Sequence, residues 1–400
     1  MKFKLSKYLT TLSLAVLAGC GGGGGEGTSR TGLTAVKVMG DSLSDSGAFT
    51  GIPSSQDGLG AGRIFSVQSS PGVTHQIWTE RIAAIVGGSQ LCNYFQQAGL
   101  SAPVATCGSF AVGGSRLNNL YKTGLEASNP FRVTKQIEMA SALGDFKSSD
   151  LLLIDGGGND AADLIGAYLK ASTDGGTAFN SIVTSIPVAG IGAADLATAG
   201  TLYMQTLADN FYNSIKTHAL DKGATHIAVL NIPAVTKTPR FQMVLGSVEQ
   251  SVTATYGAAA GASAREGVEQ LANAWIQAFN TRLASKFAGN EKVVVIDFYG
   301  AFLDQVAHPS QYGLTNVKDP ACPPALLTNG LPDLGADGLP KYNFETCTAA
   351  NLSANPPAGQ SGPDWWKTYA FSDGFHPTPY GYQLMSQLVS RSLAQAGWIK

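Results

Sequence analysis

Five short apolar runs recur along the chain, and each has the length of one buried β-strand. The runs cover residues 34–39, 108–112, 151–155, 225–232 and 292–298, with sequences such as TAVKVM and KVVVIDF. Short runs of this kind, bounded by turn-forming residues, are typical of strands that are covered on both faces. Longer segments separate the runs, so the pattern predicts a parallel sheet of five strands.

The longer segments have the apolar periodicity of α-helices. Apolar residues recur every three or four positions in 262–288 and in 200–220, as in an amphipathic helix packed on a core. Near the C-terminus, Thr378 can cap a helix whose first residue is Pro379. Strands that alternate with such helices predict an α/β fold, with helices on both faces of the sheet.

The composition suits a folded domain without a nucleic-acid partner. Of the 400 residues, 44% are apolar, which is ample for a core. Only 14% are charged and the net charge is −2, so the basic surface that nucleic acids require is lacking. We expect a single catalytic domain over residues 32–400, acting as a monomer.

The N-terminus has the pattern of an export signal. A basic segment, MKFKLSKYLT, precedes an apolar run that is too short to cross a bilayer and that ends in LAGC at Cys20. This ending resembles the bacterial lipobox, in which the cysteine is lipidated and becomes the first mature residue. We expect a lipoprotein signal peptide over 1–19 and a Gly-rich tether over 20–31, with soluble secretion as the alternative.

Lipidation would give the protein a membrane partner through its N-terminal anchor, since several acyl chains on one residue hold firmly. Gly21, rather than an aspartate, follows Cys20, and in this it resembles lipoproteins that are sent on to the outer membrane. The expected location is therefore the bacterial cell envelope, at its outer membrane.

Four cysteines remain once Cys20 is set aside, and an even number in an exported protein indicates disulfides. They are Cys92, Cys107, Cys322 and Cys347. Three pairings are possible, of which the local ones, Cys92–Cys107 and Cys322–Cys347, are the simplest. A zinc site fits less well, because no Cys-x-x-Cys spacing and no neighbouring pair of histidines occur.

Reactive side chains follow several of the apolar runs. Ser42 follows the first run, Gly114 the second and Asn159 the third, while Asp373 and His376 precede the C-terminal helix. In a parallel sheet these positions meet at the carboxyl edge of the strands. A serine, glycine amides, a side-chain amide and an Asp/His pair are the parts of an acyl-transfer site.

Each group has a role in that chemistry. His376 can take the proton of Ser42 as the hydroxyl attacks, and Asp373 can hold the imidazole in the required tautomer. The amides of Ser42 and Gly114 and the side chain of Asn159 can hold the oxyanion. Each motif alone also fits an ordinary turn or helix start, and it is their joint occurrence at strand ends that favours catalysis.

Four motifs resemble the blocks of the SGNH/GDSL hydrolase family. MGDSLSDSG carries Ser42, SFAVGGSR carries Gly114, GGGND carries Asn159, and SDGFHPTPYGY carries Asp373 and His376. The resemblance implies a three-layer α/β/α, flavodoxin-like fold and ester hydrolysis without a metal or an organic cofactor. It also implies that these residues are the nucleophile, the oxyanion donors, the acid and the base.

Two observations qualify the resemblance. Ser109 stands where the second block usually has an asparagine. No Gly-x-Ser-x-Gly elbow occurs, which argues against an ordinary α/β-hydrolase.

Two segments look like insertions on a minimal fold, 171–200 and 304–370. The first can edge an acyl pocket or pack on the core. The second is long and Pro-rich and carries Trp365 and Trp366 shortly before Asp373, and long loops in compact domains are often functional. The two tryptophans can contact the substrate, or they can anchor their loop.

We therefore expect a serine hydrolase that cleaves carboxylic esters, an esterase or lipase, through Ser42, His376, Asp373 and an acyl-enzyme. An esterase for acetylated or aromatic-acylated polysaccharides is the alternative on the same site, and acyl transfer to an alcohol is a further one. A non-catalytic surface lipoprotein that binds ligands is the alternative from another class.

Overall fold

The computed structural model describes residues 32–50, 63–87, 91–95, 103–118, 130–335 and 338–400. The predicted signal peptide, the tether and Cys20 lie outside these residues.

Four parallel strands form the central sheet, and they lie side by side in chain order. They are β1 (Ala35–Met39), β2 (Asp150–Ile154), β3 (Ile227–Leu230) and β4 (Val293–Ile296). Every residue of β2 is buried, as expected for a strand with neighbours on both sides and helices on both faces. Because all four strands are parallel, their carboxyl ends share one edge of the sheet.

The prediction of five strands is wrong by one. Residues 108–112 run parallel to β1, but within the described chain only Val38 and Ser109 form a bridge there. On its other side, Ser109 pairs with Asn93. The run is short, a disulfide joins Cys107 to Cys92 just before it, and the chain turns directly after it. The segment therefore lies at the edge of the sheet, beside β1, without forming a regular strand.

The helices alternate with the strands as the sequence pattern predicts. In chain order they are α1 (Trp78–Val86), α2 (Val133–Ala142), α3 (Gly158–Asp174), α4 (Thr177–Val183), α5 (Leu196–His218), α6 (Pro239–Tyr256), α7 (Ala258–Phe287), α8 (Phe298–Ala307), α9 (Ala349–Ala354) and α10 (Pro379–Gln395).

Three helix predictions are confirmed. The periodic segment 262–288 lies in α7, and the segment 200–220 lies largely in α5. Thr378 caps α10, because its hydroxyl accepts a hydrogen bond from the Gly381 amide at 3.1 Å, and Pro379 is the first residue of that helix. A proline fits this position since its missing N–H has no partner in the first turn of a helix.

The helices cover both faces of the sheet. On one face α1 and α10 pack together and contact β1 and β4, respectively. On the other face α2, α5 and α7 form a second group, in which α2 contacts β1 and α7 contacts β4. The core between the layers includes Trp78, Trp275 and Tyr203, all buried. The fold is therefore the three-layer α/β/α arrangement, with a sheet of four strands.

The two predicted insertions have regular structure of their own. Segment 171–200 contains α4 and buries Phe179 and Ile182 in the core. Segment 304–370 contains α9 and the strand β5 (Asn316–Pro320), which pairs in parallel with β6 (Tyr369–Phe371). None of the helices in the described residues combines the length and the apolar character needed to span a bilayer.

Two disulfides join neighbouring segments, Cys92 to Cys107 and Cys322 to Cys347. The simplest local pairings are therefore confirmed. Disulfides form and persist in oxidising compartments, and these two indicate a periplasmic or extracellular location.

Candidate active site

The predicted site residues lie at the carboxyl edge of the sheet. Ser42 follows β1, and Asn159 is the second residue of α3, which begins four residues after β2 ends. Asp373 and His376 lie on the turn between β6 and α10. Glycines follow β1 and β2 closely, at Gly40 and Gly156, and the carboxyl edge of a parallel sheet is where ligands usually bind.

Ser42, His376 and Asp373 form one hydrogen-bonded chain. The Ser42 Oγ atom lies 2.7 Å from His376 Nε2, and His376 Nδ1 lies 2.8 Å from Asp373 Oδ2. The serine and the histidine are 334 residues apart in the chain, so only the tertiary fold brings them together. This geometry lets the imidazole accept the hydroxyl proton while its other nitrogen donates to the carboxylate.

Asp373 is held as a carboxylate. Its Oδ1 atom accepts hydrogen bonds from the amides of Phe375 at 2.8 Å and His376 at 2.6 Å. Burial raises the pKa of Asp373, but the charge of His376 and these hydrogen bonds outweigh it, so the pKa lies below its ordinary value. The acid therefore stays ionised at neutral pH and can fix the orientation of the imidazole.

Three potential donors, Ser42, Gly114 and Asn159, line the same cleft. Within the described chain, the amides of Ser42 and Gly114 donate to no protein acceptor. Gly114 has a φ of 77°, a conformation that glycine adopts readily. The Asn159 Nδ2 atom donates to Ser115 O at 2.9 Å and, at 3.4 Å, to Asp41 Oδ2. The long second contact leaves one N–H of Asn159 able to turn to another acceptor.

A pair of buried carboxyl groups lies beneath the Ser42 turn. Asp155 and Asp41 hydrogen-bond to each other, and Asp155 also accepts a hydrogen bond from the Ser44 hydroxyl. Burial raises the pKa of Asp155 well above its ordinary value, and the neighbouring charge of Asp41 raises it further. Burial also raises the pKa of Asp41, so this pair retains a proton more readily than two exposed carboxyl groups would. The Asp41 Oδ1 atom accepts a hydrogen bond from the Leu43 amide at 3.0 Å.

A model of the family described as GDSL-like Lipase/Acylhydrolase matches residues 36–389 of this chain. The chain belongs to this family. Membership makes the protein an acyl hydrolase of the esterase/lipase type, in agreement with the sequence motifs.

Among solved structures, one similar chain is the lipase Lip_vut3 from a goat rumen metagenome, with 14% sequence identity and a TM-score of 0.37. The alignment covers 92% of this chain and 99% of that chain. A comparison with curated proteins finds no match.

Two further residues, Gln136 and Asp45, hold the loops of this GDSL-like site in place. Gln136 of α2 accepts the Gly40 amide at 2.7 Å and donates to the Ser115 hydroxyl at 3.0 Å, so it joins the two loops that carry Ser42 and Gly114. One polar residue on an amphipathic helix gives no signal of such a role. Asp45 holds the turn after Ser42, since its carboxylate accepts hydrogen bonds from the amides of Gly47, Ala48 and Gly113.

A cleft of about 1200 Å³ lies over Ser42 and His376. Its walls are mostly apolar and come from α3, α6, α8 and the segment before α10. Of the predicted insertion 171–200, only Ser172 lines the cleft among the described residues, which agrees with the interpretation that this segment packs on the core. In the part of the chain that the structure describes, no group of three His, Cys, Asp or Glu side chains is arranged to hold a metal ion.

Trp365 and Trp366 do not line the cleft. Trp366 is buried edge-on against His75, with 5.7 Å between the ring centroids, and its Nε1 donates to Ser353 Oγ at 3.3 Å. The Nε1 atom of Trp365 donates to Leu352 O at 2.7 Å. This placement agrees with the alternative that the two rings anchor their loop, and it gives them no contact with a substrate in the cleft.

Proposed function

We propose that the protein is a serine esterase or lipase that hydrolyses carboxylic esters through Ser42, His376 and Asp373. The observation that carries this proposal is the continuous hydrogen-bonded chain from Ser42 Oγ through the imidazole to the Asp373 carboxylate. Its location at the floor of an apolar cleft supports the same function, because an ester must reach the hydroxyl.

In the first step, Ser42 Oγ attacks the ester carbonyl carbon and His376 Nε2 takes the hydroxyl proton. The new C–O bond converts the carbonyl into a tetrahedral oxyanion. The imidazolium that forms is stabilised by Asp373. It then gives its proton to the leaving alcohol as the old ester bond breaks, which leaves an acyl-enzyme on Ser42.

In the second step, His376 removes a proton from a water molecule, which attacks the acyl-enzyme. The resulting oxyanion collapses, the carboxylic acid leaves, and Ser42 recovers its proton from the imidazolium. We propose that the amides of Ser42 and Gly114 and the Asn159 side chain hold the oxyanion in both steps. Asn159 would turn from its long contact with Asp41 to the developing charge.

Labelling with a fluorophosphonate probe tests the proposal, since the probe reacts covalently only with an activated serine. We expect the wild-type protein and Ser285→Ala, a variant of an exposed serine on α7, to be labelled, and Ser42→Ala to stay unlabelled. Hydrolysis of p-nitrophenyl butyrate should fall by about 10⁴-fold or more in Ser42→Ala. Equal labelling of Ser42→Ala and wild type would refute the assignment, and a non-catalytic binding protein would not be labelled at all.

We also propose that the mature protein is anchored by lipid on Cys20 in the cell envelope, with the catalytic domain a monomer. The N-terminal sequence pattern supports the anchor, and the two disulfides agree with an exported protein. Wild type should incorporate a radiolabelled fatty acid in cells, and Cys20→Ser should not. Equal incorporation in both proteins would contradict lipidation at Cys20.

A further inference from the structure

The cleft continues from Ser42 between the apolar sides of two helices. Helix α3 contributes Ile165 and Leu169, and α6 contributes Val244, Val248 and Val252. Each set follows a four-residue spacing, so each lies on one side of its helix. The cleft therefore has two apolar walls that begin beside the reactive serine.

The three valines of α6 do not belong to the protein core. They are half-buried, and among the described residues they belong neither to the buried core nor to the apolar residues packed against it. By contrast, Phe241 and Leu245 of the same helix are core residues. An apolar stripe that lines a cleft and lies outside the packed core is suited to an apolar ligand.

Gly166 widens the cleft on the opposite wall. It lies in the middle of α3 and lines the cleft, and a Cβ atom built on it would meet no described residue within 4 Å. No close contact in the described part of the chain requires a glycine there, and glycine disfavours a helix interior relative to alanine. The missing side chain at Gly166 leaves space in the cleft beside the apolar walls.

We propose that the walls formed by α3 and α6 bind the acyl chain of the ester, and that the substrates are esters of medium- or long-chain fatty acids. This inference rests on the proposed function, because the chain must enter from an ester held at Ser42. The volume, about 1200 Å³, exceeds the range of about 300–1000 Å³ of ordinary small-molecule pockets. An acetyl group has two carbons and would leave these walls exposed to water.

Burial of the chain predicts how the rate depends on its length. Each methylene that leaves water on binding in the transition state can raise kcat/KM by up to roughly fourfold, the equivalent of about 0.8 kcal/mol. The increase should stop once the cleft is filled. An esterase for acetyl groups would show no such increase.

The test compares kcat/KM of the full-length protein for p-nitrophenyl acetate and p-nitrophenyl octanoate, both below their micelle-forming concentrations. We expect wild type to prefer octanoate by at least 100-fold. Gly166→Leu places a side chain in the cleft and should lower the octanoate-to-acetate ratio at least tenfold. Gly246→Leu is the matched control, because Gly246 is also a helix-interior glycine and, among the described residues, nothing lies within 4 Å of an added Cβ. Gly246 does not line the cleft, so this variant should leave the ratio unchanged.

A second variant keeps the test decisive if Gly166→Leu loses its near-ultraviolet circular dichroism. Val248→Asn keeps the side-chain size but puts an amide on the apolar wall, and it should lower the same ratio at least fivefold. A ratio near one in wild type, or a ratio that neither folded variant changes, would overturn the acyl-chain site. Acetate hydrolysis that depends on Ser42, without any chain preference, would leave the proposed function intact. Absence of hydrolysis on both esters would instead refute both proposals.

Discussion

The carboxyl group of Asp155 occupies the space in which a side chain of Gly40 would stand, since a Cβ atom built on Gly40 would lie 1.8 Å from Asp155 Oδ1. Gly40 comes two residues before Ser42, and Asp155 follows β2 directly. The turn that carries the proposed nucleophile and the neighbouring strand end are therefore in direct contact. The glycine of the GDS motif is needed for this close approach.

Gly40→Ala should displace the Ser42 turn and lower kcat/KM on a nitrophenyl ester by about 10²-fold, the scale expected for a misplacement of about 1 Å in an active site. The reason is that Asp155 must move away and lose its hydrogen bond with Ser44. Gly267→Ala in α7 is the control, because no residue that the structure describes lies within 4 Å of its added Cβ. Its activity should be unchanged and its stability slightly higher, by up to about 1 kcal/mol. Wild-type activity in Gly40→Ala would contradict this account of the turn.

Asp155→Asn should become more stable relative to wild type as the pH rises. Burial, with the charge of Asp41, raises the pKa of Asp155 in the folded state above the ordinary value of 3.8. A group with a raised folded-state pKa contributes stability that is fully present below the unfolded pKa and is lost as the pH rises through the folded pKa. Urea denaturation of both proteins at pH 4, 6 and 8 measures the difference in unfolding free energy. A difference that does not change with pH would show that Asp155 keeps its ordinary pKa.

Asn159→Ala should lower kcat by about 10² to 10³, because one donor to the oxyanion is lost. Ser42→Ala should cost more, about 10⁴-fold or more, because the nucleophile itself is lost. Thermal unfolding of Asn159→Ala shows whether the lost hydrogen bond to Ser115 O also destabilises the fold. Asn213→Ala, which changes an exposed asparagine of α5, should have wild-type kinetics. If Asn159→Ala were more harmful than Ser42→Ala, the two roles would be misassigned.

Replacing Cys322 and Cys347 together by serine should lower the free energy of unfolding by about 3 kcal/mol. The disulfide closes a loop of 25 residues, and in the chain-entropy model it restricts the unfolded chain by about this amount. Urea denaturation of the double variant against wild type under non-reducing conditions measures the effect. An unchanged midpoint would mean that contacts within the loop, rather than the cross-link, hold this segment.

Local sequence patterns were enough to predict most elements of the fold. Four of the five predicted strands form, as do the periodic helices in α5 and α7, because alternation and spacing of apolar residues report which side of a segment is buried. The cap of α10 was predicted by Thr378 and Pro379 alone, since the hydroxyl and the missing N–H act within one helical turn. The local disulfide pairings followed from short separations along the chain.

Other features depend on contacts between distant segments. The segment 108–112 has the apolar pattern of a strand, but within the described ranges it forms a single bridge to β1 and a single bridge to Asn93. Gln136 accepts a hydrogen bond from Gly40, which is 96 residues away in the chain. A single glutamine in a helix does not indicate such a distant partner. The tryptophans near Asp373 are aromatic and close in sequence, yet the packing of their loop turns them away from the cleft.

By itself, the sequence determined the order of strands and helices, the apolar sides that bury them and the reactive side chains that follow the strands. Only the tertiary structure decided that the Ser42 hydroxyl and the His376 imidazole meet at 2.7 Å, that a buried acid pair lies beneath them, and that α3 and α6 leave an apolar cleft. The physical reason is that periodicity and capping act between neighbours along the chain. Distances between remote side chains depend on how all the layers pack together.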